Sequence, residues 1–318
     1  MKKMKTTMKD RNILVTGGAG FIASHLVDSL IEEGANVTVI DDLSNGKMEN
    51  VNKKAKFTLG SIRDSETVME CLCDVDLVFH LAANTGTKET SMGFNDPFEE
   101  MKVNAEGTVK VLKGVKDYNP SIRIVYASSA AVYGEPQYTP VDELHPKEPV
   151  SPYGISKLAG EKYLSAYMKS FGVKPVMGRI FNTYGPRQSR YVIHDFIKKL
   201  NADPTQLEVL GNPSNMRDYA YVSDTVNALK LLAEKGEIGE IYNIAGGNPI
   251  TIENLAKLVI EQVGLTGKTV IKFTGSSWKG DITKMVADIT KIKTLGFQPQ
   301  VSLETGVKNT VNWFRDHN

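Results

Sequence analysis

Gly17-Gly18-Ala19-Gly20-Phe21-Ile22-Ala23 follows directly on the apolar run Ile13-Leu14-Val15, and a second apolar run, Val37-Thr38-Val39-Ile40, ends in Asp41-Asp42 about 20 residues further on. Few folds accommodate that order: a strand, a turn too tight for side chains, a helix, then a second strand closing on acid. Gly18-x-Gly20-x-x-Ala23 lets the chain reverse, brings backbone N–H groups close to a pyrophosphate and packs the helix against the sheet. Asp41 then stands where the adenosine ribose hydroxyls need an acceptor. A carboxylate there repels a 2′-phosphate, so NAD is favoured over NADP. A glycine-rich turn with no ligand is the competing reading, and the order strand, helix, strand, acid weighs against it.

The alternation continues through the first half. Strands are expected at Asn12 to Thr16, Asn36 to Ile40, Lys56 to Leu59, Leu77 to His80, Arg123 to Ala127 and Pro175 to Ile180, and helices at Phe21 to Glu33, Ser65 to Leu72, Asp96 to Tyr118 and Tyr153 to Phe171. That pattern implies an α/β fold with a doubly wound parallel sheet covered on both faces. After Phe181 the rhythm shortens, with turns at Tyr184-Gly185-Pro186, Gly211-Asn212-Pro213 and Gly246-Gly247-Asn248-Pro249. A smaller C-terminal α/β lobe follows from this. The expected division is a cofactor-binding domain over 11–182, with 217–245 returning to it, and a substrate-binding lobe formed mainly by 183–216 and 246–318.

With 38 Lys and Arg against 37 Asp and Glu, the formal charge is +1, so no global field recruits nucleic acid or an anionic membrane. Any anion site must be local. No stretch reaches the roughly 18 apolar residues of a membrane span, and residues 1–10 are expected to be a frayed leader. Cys71 and Cys73 are too few for a disulfide framework, which fits a reduced, cytoplasmic setting. The histidines are too scattered to propose a metal site.

Tyr153 and Lys157, four apart at the start of an expected helix, share one face. Spacing alone is weak evidence, because with 12 tyrosines and abundant lysine about one such pair arises by chance. Context comes from Tyr126-Ala127-Ser128-Ser129-Ala130-Ala131-Val132-Tyr133-Gly134, a strand ending in hydroxyls at the carboxyl edge of the sheet, where ligands of open α/β sheets bind.

These stretches resemble the extended short-chain dehydrogenases/reductases of the NAD-dependent sugar-nucleotide epimerase/dehydratase family, and within it the UDP-glucose 4-epimerases. The matching segments are Thr16 to Ala23, Asp41 to Gly46, His80 to Ala83, Val103-Asn104, Gly107-Thr108, Ser128 to Gly134, Pro152 to Lys157, Arg179 to Arg187, Arg217-Asp218-Tyr219 and Gly280-Asp281. The resemblance implies a Rossmann-type sheet, with Tyr153 as catalytic base, Lys157 as its electrostatic partner and Ser129 as the relay hydroxyl. It implies cofactor contacts from Gly17, Gly20, Phe21, Ile22, Asp41, Asp42, Asn45, Gly46, Ser61, Ile62, Leu81, Ala82, Ala83, Asn104, Ser128, Tyr153 and Lys157. Substrate contacts fall to Ser129, Asn182, Arg217 and Asp281, and the two long helices are expected to pair into a homodimer. A carbinol carbon has no acidic C–H, so inversion at C4 of a UDP-hexose proceeds by oxidation, rotation of the ketone and reduction on the other face. A nearby ammonium and an oxidised nicotinamide are expected to favour the Tyr153 phenolate.

Several positions depart from that pattern. Ala130 and Ala131 stand where water-eliminating members carry an acid pair and decarboxylating members a Glu, which disfavours both activities; methyl groups shuttle no protons. Ser61 replaces a usual Asp, Trp278 a usual Arg, and Met285 falls where residue size affects acceptance of an N-acetyl group. A 2-epimerase and a ketoreductase remain open, as does a non-catalytic NAD sensor, although a sensor needs no base.

Overall fold

In the computed structural model, which describes residues 8–85, 97–275 and 282–317, the apolar runs of the first half form one parallel sheet. Its strands are β1 (Asn12–Thr16), β2 (Asn36–Asp41), β3 (Lys56–Leu59), β4 (Leu77–His80), β5 (Arg123–Ser129) and β6 (Lys174–Ile180). After β7 (Asn182–Tyr184), β8 (Gln206–Val209) and β9 (Met216–Tyr221), β10 (Ile241–Ile244) returns to pair with β6. The order is β10-β6-β5-β4-β1-β2-β3 and every pairing is parallel.

Alternate residues of these strands feed two separate cores, as a sheet covered on both faces requires. Val15, Val39 and Phe79 pack with Leu26 and Leu30 of α1 (Phe21–Glu32) on one face. Leu14, Ile40 and Val78 pack on the other with Val68 of α2 (Ser65–Cys71). The long helix expected from Asp96 is interrupted: α3 (Pro97–Glu100) passes through a π-helical turn, Met101–Glu106, into α4 (Gly107–Tyr118). α5 (Pro152–Phe171) lies beside α4. Met8, expected in a frayed leader, is 1% exposed and belongs to the first core. Its apolar side chain has a socket, so residues from Met8 onward are part of the fold.

The second half is more regular than its turn signals suggest. α6 (Val192–Ala202), α8 (Ile252–Val263) and α10 (Leu303–His317) share a third core through Phe196, Leu200, Leu255, Val259, Val311 and Phe314. β9 pairs with β7, with β11 (Pro249–Thr251) and with β13 (Lys284–Met285), while β12 (Val270–Phe273) pairs with β8. Of the segment expected to rejoin the main sheet, α7 (Val222–Lys235) packs on it and β10 enters it, but β9 stays in the smaller sheet. The short α9 (Thr290–Lys293) packs against β10.

Candidate active site

A cleft of about 1010 Å³ runs along the carboxyl ends of the parallel strands and between the two sheets. A small-molecule site occupies about 300–1,000 Å³, so this one stands at the upper end of that range. At one end the chain leaves β1 through Gly17, whose φ is +73° and where a Cβ would sit 2.7 Å from Ala82 Cα. The left-handed turn therefore belongs to Gly17. At Gly18 a Cβ would meet Val39 Cγ1 at 2.5 Å, so Gly18 serves the approach of the loop to β2. No side chain caps α1 at Gly20 and no acid occupies its first turn, which leaves the positive end of the helix dipole to the cleft.

Asp41 ends β2 almost fully buried. Its Oδ2 accepts from the Ala19 N–H at 3.0 Å and its Oδ1 from the Leu43 N–H at 2.8 Å. Burial pushes its carboxyl up, against those two bonds. A carboxylate accepts about four hydrogen bonds, so two acceptor positions remain for ribose hydroxyls. Nothing in this end of the cleft conflicts with a dinucleotide: the backbone reserves room where side chains would block it, and the acceptor is in place.

The floor is set by a chain of hydrogen bonds that the sequence did not disclose. Thr108 donates to the Asn104 carbonyl at 2.6 Å, so at the 2.9 Å contact with His80 it must accept, and His80 donates from Nε2. His80 Nδ1 then accepts from Thr16 Oγ1 at 2.7 Å, and Thr16 Oγ1 accepts from the Ala82 N–H at 3.1 Å. Burial, with Lys157 nearby, pushes His80 down to about 3, so the ring is neutral at physiological pH. Asn104 takes a different place from the one expected. Its amide is engaged by Asn84 N, Asn84 O and Ser156 Oγ at 2.7, 2.7 and 2.9 Å, so it fixes the loop after β4 and does not line the cleft. Ser61 does not line it either, accepting from the Arg63 N–H at 3.4 Å, whereas Ile62 does.

At mid-cleft, Ser151 caps α5 by accepting from the Gly154 N–H at 3.1 Å, with Pro152 in the first turn. This starts the helix where Tyr153 meets the end of β5, and the Ser129 hydroxyl stands near enough to act on the Tyr153 phenol. Ser129 Oγ also accepts from the Ala131 N–H at 3.2 Å. Lys157, one turn on, is 2% exposed, with Nζ 4.6 Å from the centroid of the Tyr126 ring. Burial pushes its ammonium down to about 7, opposed by Glu161. In the protein alone, burial and the nearby Tyr191 raise the phenol of Tyr153, and Ser129 and the Arg190 charge only partly oppose this. Desolvation outweighs the protein's own cations here.

Behind this pair, Ser128 donates to Glu161 Oε1 at 2.6 Å, and Arg179 forms a bidentate pair with Glu161 at 2.8 and 2.7 Å. Arg179 also donates to Tyr133 Oη at 3.0 Å. The hydroxyl of Ser128 thus serves a buried network joining β5, α5 and β6, although the residue lines the cleft. Among the described residues Tyr126 Oη, beside Lys157, has no hydrogen-bond partner.

At the far end Asn182 donates to the Asp218 carbonyl at 3.4 Å, and Arg217 donates to the Met216 and Thr283 carbonyls at 2.9 and 3.4 Å. Asp218 accepts from the Gly247 N–H at 2.9 Å, so its carboxylate faces that turn. Burial pushes it up to about 6. Met285, beside Arg217 in the sheet, lines the cleft. The other expected residues, Phe21, Ile22, Asp42, Asn45, Gly46, Leu81 and Ala83, also line it. Asp281, Trp278 and part of the loop after Asn84 lie outside the described residues.

The family model described as GDP-mannose 4,6 dehydratase matches residues 14–310. A putative UDP-glucose 4-epimerase of Methanocaldococcus jannaschii is 36% identical over 96% of this chain and 99% of its own length. UDP-glucuronic acid decarboxylase 1 of Xenopus tropicalis is 33% identical over 96% and 73%. Among solved structures, the UDP-glucose 4-epimerase of Thermotoga maritima with UDP-glucose superposes with a TM-score of 0.89 at 38% identity, covering 96% of this chain and 99% of that one. The Thermus thermophilus UDP-glucose 4-epimerase in complex with NAD gives 0.85 at 34%, covering 96% and 99%. A glycine turn, a strand-end acid and a Ser-Tyr-Lys cluster in one cleft accord with these likenesses, and the chain belongs to the extended short-chain dehydrogenase/reductase family of nucleotide-sugar epimerases and dehydratases.

Proposed function

We propose that the protein is a nucleotide-sugar 4-epimerase acting on a UDP-hexose, with NAD as its cofactor. One observation carries this reading: Tyr153 and Ser129, at the end of β5, line the same cleft, and the next residues, Ala130 and Ala131, offer no acid to eliminate water or assist decarboxylation. The likeness to the Thermotoga enzyme holding UDP-glucose supports the same choice.

The Gly17 to Ile22 turn, the N-terminus of α1, Asp41 and Lys157 would hold NAD, which supplies when bound an acceptor and donor for the hydrogen of the carbinol carbon. Tyr153 takes the C4 hydroxyl proton, and Ser129, beside it in the cleft, orients that hydroxyl. Lys157, in its charged form, opposes the proton on Tyr153 and so assists its removal. Tyr153 returns the proton once the ring has turned, while Arg217 and Asn182 retain the diphosphate at the far end of the cleft. In this reading the lobe around β9 binds substrate and the parallel sheet binds NAD. A homodimer through α4 and α5 belongs to it too, with Ile155 and Tyr163 presenting apolar surface on α5.

The test is incubation with UDP-glucose, UDP-galactose and their N-acetyl forms, with product stereochemistry read by proton NMR. Inversion at C4 is expected. A 4-keto-6-deoxy product, inversion at C2 or no conversion at all would each overturn the proposal.

A further inference from the structure

Beyond presenting its N-terminus, α1 grips a loop that also lines the cleft. His25 Nε2 lies 2.9 Å from the Pro186 carbonyl oxygen, and since a carbonyl only accepts, the imidazole donates. Three residues on, Asp28 Oδ2 is 2.7 Å from Arg187 Nη1, with both side chains about three-quarters buried. Asp28 is itself steadied by Asn52 Nδ2 at 2.7 Å. The gripped carbonyl and guanidinium belong to the short stretch Gly185 to Tyr191. Within it Arg187 and Tyr191 adopt φ of +66° and +75°, left-handed values that bulky residues hold only where their surroundings impose them. Gln188, 4% exposed, fastens the inner side to the Thr183 carbonyl at 2.8 Å.

The loop faces the site. Arg187 through Tyr191 line the cleft, and Arg190 and Tyr191 stand close enough to Tyr153 for their charges to act on its phenol. His25 and Asp28 lie five and eight residues beyond Gly20, roughly 7 and 12 Å along a rigid helix axis from the turn that faces the cofactor end. His25 also meets Phe21, another cleft residue, edge to face with ring centroids 6.0 Å apart.

We infer that His25 and Asp28 are positioning residues for substrate binding: they fix the Gly185 to Tyr191 loop to α1, so that the part of the cleft wall that acts on Tyr153 takes its place from this helix. The inference rests on the proposed function only for the identity of the substrate. The loop's strained backbone needs an external hold, and α1 provides it at two adjacent points.

The experiment compares wild type, His25→Ala, Asp28→Asn and Asp28→Glu by amide hydrogen exchange and by steady-state kinetics with UDP-hexoses. In His25→Ala and Asp28→Asn the amides of 187–191 are expected to exchange about tenfold faster while those in the middle of α1 do not. KM is expected to rise about tenfold with kcat changed less than about threefold, and NAD affinity to stay within about twofold. Asp28→Glu, which keeps the carboxylate, should bring KM back close to the wild-type value. Unchanged exchange overturns the inference, as does faster exchange with unchanged KM. Should the wild type convert no nucleotide sugar, the proposed function fails by itself, and the exchange comparison alone decides the loop.

Discussion

In the proposed reaction the chemistry turns on Tyr153 and Lys157, and burial acts on them in opposite senses. Tyr153→Phe removes the proton acceptor and leaves the ring in place. Turnover should fall by about 10³-fold while calorimetry finds NAD and UDP bound as in the wild type. Lys157 carries a pH signature. Its ammonium is pushed down to about 7 in the fold, far below its value in an unfolded chain. Below pH 7 the lysine is charged in both states and the fold bears the full cost of burying that charge; as pH rises from 7 towards 10 the unfolded chain binds more protons and native stability increases. Lys157→Met removes this cost. The variant should therefore exceed the wild type in Tm by a few degrees at pH 6.5, and the gap should close by pH 9.5, as a pair of thermal melts would show. The pairing of Tyr153 with Lys157 was visible in the sequence as a spacing, but the dominance of desolvation was not, because it depends on how deeply α5 packs.

At the level of elements, legibility followed periodicity. β1 and β4 stand where their apolar runs place them, because strands buried on both faces leave an uninterrupted signal. The three-residue β7 and β11 and the two-residue β13 have no period to read, and the π-helical turn at Met101–Glu106 is concealed within a helical pattern. α6 and α10 went unread behind the turn residues around them. In the site, the glycine turn and the Ser129 strand end were plain, whereas Arg179 meeting Glu161 and His80 linking Thr16 to Thr108 arise from partners remote in sequence. Two substitutions probe the elements that hold the site. Gly17→Ala meets both a left-handed φ and the Ala82 backbone, neither of which can yield cheaply, so NAD binding measured by fluorescence quenching should weaken by at least about 100-fold. Ser151→Ala uncaps α5 and should cost about 1 kcal/mol in urea unfolding, with a smaller loss of kcat.

For the whole molecule, the arrangement is of two sheets facing one cleft, with Asp218 fastening β9 to the Gly246 to Asn248 turn from the side of the smaller sheet. The exposed stripe of Ile155 and Tyr163 on α5 leads to an expectation of a dimer by light scattering. Tyr163→Glu should shift that mass to the monomer without changing the far-ultraviolet dichroism. The grip of α1 on Pro186 and Arg187 also bears on how such enzymes can be recombined. A chimaera that imports a foreign 185–191 segment but retains the resident first helix severs a latch spanning both halves. Crossovers that carry the two pieces together should survive a shuffled library far more often than those that part them.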